Sequence, residues 1–293
     1  RTVLWEYLLF SSQSPLKELL EDFFSSNFYK FNIFSKDNFK TGYSEEIISN
    51  LLIENVKPEY LGEFMGYCNF FGITDMTKEN CIAQDDTIHL VDCECIFSPE
   101  AKFLTNIGKN FKQYSQSIMP IKPFDGSQKF ILSFLQGYID SWLALLTYRE
   151  KIMEVFESLR ALIEITPIRV LLKNTFEYAS SKQDNFSIED IIQLKRNDIP
   201  YYFSFLGTKD VLYYISSELK YTKISQDVDH KNHHVPFLSI GEFFCESRLL
   251  GEFRSNLYQI TSYSNQVLGV DNFSHSFNGI TLIFNGKQSQ VLF

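Results

Sequence analysis

An aspartate, an asparagine and an acidic tripeptide are the residues of this chain whose types and spacing best suit chemistry. Asp75 and Asn80 stand five positions apart in a polar stretch, and Asp92-Cys93-Glu94 follows, with Glu94 fourteen residues after Asn80. Phosphoryl transfer from a nucleoside triphosphate uses this set of groups. A carboxylate sits beside the attacking hydroxyl, while an amide oxygen and an acidic side chain hold a divalent cation against the phosphates. Between them, Cys81-Ile82-Ala83 and the alternating run Thr87 to Cys93 flank Gln84-Asp85-Asp86, the pattern of a tight β-hairpin. A hairpin there folds the second acidic group back onto the loop that carries the first. Taken alone, an Asp and an Asn in a loop are capping and turn residues.

The elements around this constellation read mostly as helices. Ser14-Pro15 opens a run through Leu16, Leu19, Leu20, Phe23 and Phe24, with Ser14 able to cap and Pro15 suited to the first turn. The spacing of Ile47, Ile48, Leu51 and Leu52 predicts a second helix from Ser44 to about Asn55. A third runs from Pro58 through Phe71 and stops at Gly72. From Gln128 to about Ile165 two long helical patterns follow one another, another helix follows Pro167, and a short one lies near Ile188 to Leu194. Lys223 to Pro236 reads as an exposed loop, and Ile280 to Phe293 as a β-hairpin around Asn285-Gly286.

Composition bounds what such a site can serve. The chain has 293 residues and a net charge of −9, which argues against a nucleic-acid backbone as the main partner. No run of about 18 uninterrupted apolar residues is present, so no membrane span is expected. Five cysteines, an odd and sparse set, fit a reducing cytoplasm better than a disulfide scaffold. The start at Arg1 rather than Met reads as a fragment or a processed product. His230, His233 and His234 lie among acids with no cysteine at zinc spacing and read as a solvated loop. Cys93, Cys95 and Cys245 read as buried packing residues.

In protein kinases the same groups come from Asp-x-x-x-x-Asn on a loop, a short hairpin and an acidic metal ligand. A closer likeness extends further along the chain. The segment Thr74-Asp75-Met76-Thr77-Lys78-Glu79-Asn80-Cys81-Ile82-Ala83, running into Leu90-Val91-Asp92-Cys93-Glu94-Cys95-Ile96-Phe97, resembles the catalytic core of class II lanthipeptide synthetases. Their dehydratase domains carry T-D-x-H-x-E-N-x-I-A followed by D-L-E-T-L-F. Gly42-Tyr43-Ser44-Glu45-Glu46 is similar to the family's Y-G-W-x-E-F patch. The run from Pro167 to Tyr178 is similar to its R-x-x-x-R-x-T-x-x-Y patch, and the run from Leu194 to Tyr202 to its L-x-x-G-D-I-P-Y-F patch. These patches lie in co-linear order over about residues 40 to 205.

The resemblance implies a two-step dehydration of Ser or Thr in a precursor peptide with a leader: phosphorylation, then elimination of phosphate. It implies Mg²⁺ and ATP as cofactors, Asp75 as the phosphotransfer carboxylate, and Asn80 and Glu94 as the metal- and nucleotide-binding pair. Arg169 and Thr175 would serve elimination, because a guanidinium neutralises a departing phosphate bidentately and a hydroxyl orients it. The implied fold is α+β, a mainly helical protein/lipid-kinase-like catalytic lobe with an incomplete ATP-binding lobe and a helical extension. Residues 1–293 would form one dehydratase domain, with 1–125 the kinase-like metal and catalytic region and 126–293 the helical region carrying the elimination residues.

The departures from the pattern set three readings side by side. Thr77 replaces the family's His, Lys173 replaces its second Arg, and Tyr7 to Ser12 holds no Lys or Arg where a phosphate-clamping Lys is expected. The zinc-binding cyclase that normally follows is missing from this sequence, so a separate cyclase or N-terminal subunit is an expected partner. The chain is then a piece of a working dehydratase, a lyase-only remnant acting on phosphorylated peptide, or a non-catalytic pseudokinase-like module that binds peptide.

Overall fold

The first element is apolar on nearly every side, and it ends up at the centre. Helix α1 (Leu4–Phe10) buries Leu4, Trp5, Leu8, Leu9 and Phe10. The computed structural model describes residues 2–24, 28–51, 53–76, 80–99, 127–173, 175–180, 186–196, 198–216, 220–230, 233–268, 273–285 and 289–293. Helix α2 (Pro15–Leu20) starts as the sequence predicts: Pro15 occupies the first turn and the Ser14 hydroxyl accepts from Leu16 N–H.

The helix predicted from Ser44 to Asn55 does not form. Strands β1 (Ile33–Lys36) and β2 (Thr41–Ser44) pair antiparallel, residues 45–51 are irregular backbone, and a 3₁₀ turn lies at Ile53–Asn55. The apolar spacing was right for a helix, yet Ile48 is 65% exposed. Polar neighbours hold the segment elsewhere. Ser49 Oγ donates to Ala83 O at 3.2 Å, and Asn50 both donates to the Asp85 carboxylate and accepts from Asp85 N–H. Such side-chain bonds offer the backbone an alternative to the helical ladder.

Helix α3 (Pro58–Phe70) and the hairpin of β3 (Cys81–Gln84) and β4 (Thr87–Leu90) follow the expectation closely. Pro58 opens the helix and Gly72 ends it with φ +63°. The hairpin closes through Asp85 and Asp86, both with positive φ, the primed two-residue turn that matches strand twist. Strand β4 is buried along its whole length, and His89 sits under the edge of the Phe31 ring at 4.2 Å. Burial keeps this imidazole neutral and lowers its pKa to about 3. Because the folded value lies below the unfolded one, stability is full above pH ~6.5 and is lost as pH falls toward 3. Melting curves from pH 7 to pH 3.5 should therefore show a steeper acid loss for the wild type than for His89→Leu; parallel curves would contradict this assignment.

Past residue 126 the helices expected are interleaved with more strands than the one C-terminal hairpin predicted. Helices α4 (Gln128–Thr147), α5 (Arg149–Ser158) and α6 (Arg160–Ile163) account for the two long patterns. Helix α4 is long and apolar enough to cross a membrane, but 56% of its apolar window is buried within the fold. It lies against α3 at glycine: a Cβ on Gly62 would fall 2.0 Å from Phe134 O, and one on Gly137 2.0 Å from Glu59 O. After Pro167 comes strand β5 (Ile168–Val170), where a helix was predicted. Helices α7 (Thr175–Ser180) and α8 (Ile188–Leu194) follow, the latter with a Ser187/Asp190 capping box.

Strands β6 (Tyr202–Ser204), β7 (Leu212–Tyr214) and β8 (Tyr221–Lys223) complete an antiparallel sheet in the order β5-β6-β7-β8. Helices α9 (Ile240–Phe243) and α10 (Glu246–Leu268) precede a three-stranded meander of β9 (Phe273–Phe277), β10 (Ile280–Phe284) and β11 (Ser289–Leu292). The predicted C-terminal hairpin is its β10–β11 pair; Gly286 lies outside the described residues. Among the described residues the architecture is thus mixed α+β, ten helices with small antiparallel sheets.

The abundant Phe and Tyr explain themselves in the core, where Trp5, Phe71, Phe97, Phe156, Phe243 and Phe244 meet largely edge to face. The described residues contain no disulfide, and Cys68, Cys81, Cys93 and Cys95 are buried. Cys245, expected in the core, is exposed just ahead of α10 while its neighbours Phe243 and Phe244 take the interior.

Candidate functional site

The arms of the β3–β4 hairpin continue past its strands and bring the acidic residues together. Thr74 N–H donates to Cys95 O at 2.9 Å, Phe97 N–H to Phe71 O at 3.1 Å, and Ser98 N–H to Gly72 O at 3.0 Å. Gly72 is required there on two counts. Its φ is positive, and a Cβ would lie 2.6 Å from Ser98 O. The antiparallel run seats Asp75 near Glu94, and Asp75 itself takes a left-handed backbone, φ +59°. Asn80 closes the loop: its Nδ2 donates to Asp75 O at 2.9 Å, and its carbonyl accepts from Val91 N–H at 2.9 Å. Thr77, the position of the family's His, lies outside the described residues.

Strand β5 brings the guanidinium. Arg169 N–H donates to Glu94 O at 2.9 Å, so β5 extends the acidic arm, and Arg169 Nη1 lies 3.3 Å from Glu94 Oε2. This ion pair is well shielded, with side-chain exposures of 20% and 8%. Burial works against the charge on Arg169, while the acidic groups around it, Glu94 and Asp75 among them, hold its pKa above the ordinary value. The same neighbourhood pushes the Cys95 thiol far up, by burial first and then by Asp75, so it is an inert packing group. The Tyr201 phenol is raised by burial and by Glu94, and its ring lies 5.4 Å from the Arg169 guanidinium carbon.

Asp75 and Glu94 therefore stand beside Arg169, and Asn80 is tied to the Asp75 carbonyl. The cation beside the two carboxylates in this structure is the guanidinium. Thr175 opens α7, and its side chain lies outside the described residues. Lys173, at the place of the family's second Arg, is engaged elsewhere. Its Nζ meets Asp190 Oδ2 at 2.7 Å, and the Tyr202 hydroxyl donates to the other oxygen of that carboxylate.

Two residues the sequence reading set aside belong to this site. His233 and His234 do not point into solvent but, with Thr74, Cys95, Arg169 and Leu171, line a cavity of about 10 Å³, room for roughly one water. His233 Nδ1 lies 3.2 Å from Leu171 O. A carbonyl oxygen can only accept, so Nδ1 is the donor in this contact, which leaves Nε2 as the basic nitrogen of the neutral tautomer. His234 Nδ1 meets Ser98 Oγ at 2.6 Å. The doublet His233-His234 was visible in the sequence; its partners, 62 and 136 residues away, were not.

The donor set suits a hard cation. Asn80 Nδ2 is fixed on the Asp75 carbonyl, which turns the amide oxygen the other way, and Glu94 supplies carboxylate oxygen. Mg²⁺ is commonly held by one or two such groups, with phosphates and waters filling the rest of its shell. No group of three His, Cys, Asp or Glu gathers for a metal among the described residues. No protein-family model and no curated protein matches this chain.

Proposed function

We propose that this chain acts on Ser and Thr side chains of a ribosomal precursor peptide as a dehydratase of the lanthipeptide-synthetase type. The observation that carries this reading is the placing of Asp75 and Glu94 beside the Arg169 guanidinium, with Asn80 bonded to the Asp75 carbonyl. It joins the groups that phosphotransfer needs to the group that phosphate departure needs. In the first step Asp75 accepts the hydroxyl proton as the side-chain oxygen bonds to phosphorus, and a nucleoside diphosphate leaves. Asn80 and Glu94 would hold Mg²⁺, which neutralises charge on the nucleotide phosphates.

In the second step Arg169 binds the new phosphate ester. Its contact with Glu94 is through one nitrogen, and the planar fork has further N–H groups with which to take phosphate oxygens in a bidentate grip. His233, which shares a cavity wall with Arg169, would take the Cα proton through the single water that the cavity has room for. The C–H electrons become the Cα=Cβ bond, the Cβ–O bond breaks, and inorganic phosphate departs with its electron pair.

A second reading, elimination alone, is favoured by α1. The segment where a phosphate-clamping Lys is expected packs Leu8, Leu9 and Phe10 into the core, and Arg169 keeps its place without it. Mass spectrometry separates the two. With Mg²⁺-ATP and a Ser/Thr peptide, the full reaction gives phosphate gain and then water loss. Asp75→Asn should abolish phosphate gain yet keep phosphate loss from a pre-phosphorylated peptide, whereas Arg169→Ala should do the reverse. Unchanged mass with both substrates would overturn the enzymatic readings and leave a peptide-binding module.

A further inference from the structure

The β5–β8 sheet has two unlike faces. On one, Val170, Tyr202 and Tyr213 pack with Val211, Ile224 and Val235 in a small core of their own. The other face is read from the register. Arg169 stands opposite Phe203, and Phe203 opposite Leu212, while Tyr214 stands opposite Tyr221. Side chains two apart on a strand share a face. Arg169, Phe203, Tyr214 and Tyr221 therefore lie on one surface, with Tyr201 and Phe205 beside them. The rings touch in series: Tyr201 to Phe203 at 6.1 Å, Phe203 to Tyr214 at 4.7 Å, Phe205 to Tyr221 at 5.9 Å.

Phe203 at its centre is buried, at 1% exposure, but Tyr201, Phe205, Tyr214 and Tyr221 around it keep part of their surface open. This aromatic face floors a groove of about 1320 Å³, larger than the usual small-molecule pocket, whose far wall is the β1–β2 turn with Lys40. Along its rim Ile165, Ile199 and Tyr221 expose more than half of their surface. Exposed apolar surface concentrated in one groove marks a binding site.

We infer that this groove is the track for an extended stretch of peptide, bearing aromatic or large apolar side chains beside the Ser or Thr that reaches Arg169. This rests on the proposed reaction for its direction, because the floor is continuous with the site: Tyr201 lines the groove and its ring also packs on the Arg169 guanidinium. Crossing four strands takes three spacings of about 4.8 Å, the reach of four or so extended residues at about 3.3 Å each. Stacked rings could also take single-stranded nucleic acid, but that occupant needs a positive groove. Here Glu164 and Asp198 stand on the walls beside Lys40 and Arg196, and the whole chain carries −9.

Two fluorescein-labelled ten-residue peptides test this by anisotropy, one with Phe two residues to either side of a central Ser and one with Ala at those places. The Phe peptide should bind about tenfold tighter or more, and the double variant Tyr214→Ser/Tyr221→Ser should abolish that preference. Tyr258→Ser, which removes an equally exposed ring from α10, should leave it intact; a matching loss there would show a general effect and overturn the assignment. Equal affinity for the two peptides, or displacement of the Phe peptide by oligo(dT), would also overturn it. The same peptides read by mass spectrometry keep the two ideas apart. Selective binding without any change in mass sinks the dehydratase and leaves the track. Equal turnover of both peptides sinks the track and leaves the dehydratase.

Discussion

Arg169→Ala is expected to lower the melting temperature by roughly 6 to 12 °C and to slow phosphate elimination by about 10²- to 10³-fold. The stability loss follows from what remains. Glu94 is almost wholly shielded, and removing the guanidinium takes away a cation 3.3 Å from a buried carboxylate, a cost of about 3 kcal/mol. The backbone bond from residue 169 to Glu94 survives the change, so the strand should stay in place. Replacing both partners by apolar residues removes the buried carboxylate together with the guanidinium. Arg169→Met/Glu94→Met should therefore melt closer to the wild type than either single variant, while remaining inactive in elimination. Thermal denaturation of the four proteins checks this; additive losses would mean that the two side chains do not interact.

Gly62→Ala and Gly137→Ala should each destabilise the protein by about 3 kcal/mol or more, or prevent folding, although alanine is the better helix former. At both positions the new methyl meets a main-chain oxygen at 2.0 Å, which no rotamer change can relieve, so α3 and α4 must move apart. Gly66 lies on the same face of α3, but there the methyl meets the Ser141 hydroxyl at 2.1 Å. Ser141→Gly should thus recover part of what Gly66→Ala loses. Gly251, inside α10 with nothing within 4 Å of a Cβ, is the control. Its change to Ala should raise stability by about 0.5 to 1 kcal/mol. Chemical denaturation midpoints measure all four, and a stabilised Gly62→Ala would refute the close approach of the helices.

What could be read from the sequence was what neighbouring residues decide among themselves. Ser14-Pro15 and Pro58 start helices, Gly72 ends one, and Asp85-Asp86 turns a hairpin, each through geometry within a few residues. The candidate site was legible to the same extent, because Asp75, Asn80 and Glu94 sit on one loop and the hairpin beside it. The failures have one physical origin, tertiary partners overriding local pattern. Ile47, Ile48 and Leu51 have helical spacing, but Ser49 and Asn50 are held by the β3–β4 hairpin. Ile168-Arg169-Val170 is three residues long, too short to show a period, and is a strand because Ser204, Phe203 and Tyr202 lie alongside. His233 and His234 look solvated until Leu171 and Ser98 arrive.

Trp5 Nε1 donates to Pro167 O at 3.2 Å across 162 residues of chain, directly before the strand that carries Arg169. On the ribosome, at about 5 to 20 residues per second, the partner of Trp5 is made roughly 8 to 32 s after it. Throughout that interval α1, apolar on nearly every side, exists without the carbonyl that ties it to β5. Its indole and leucines are then a natural target for a holding chaperone, and the candidate site cannot assemble until residue 169 has left the ribosome, long after Asp75 and Glu94.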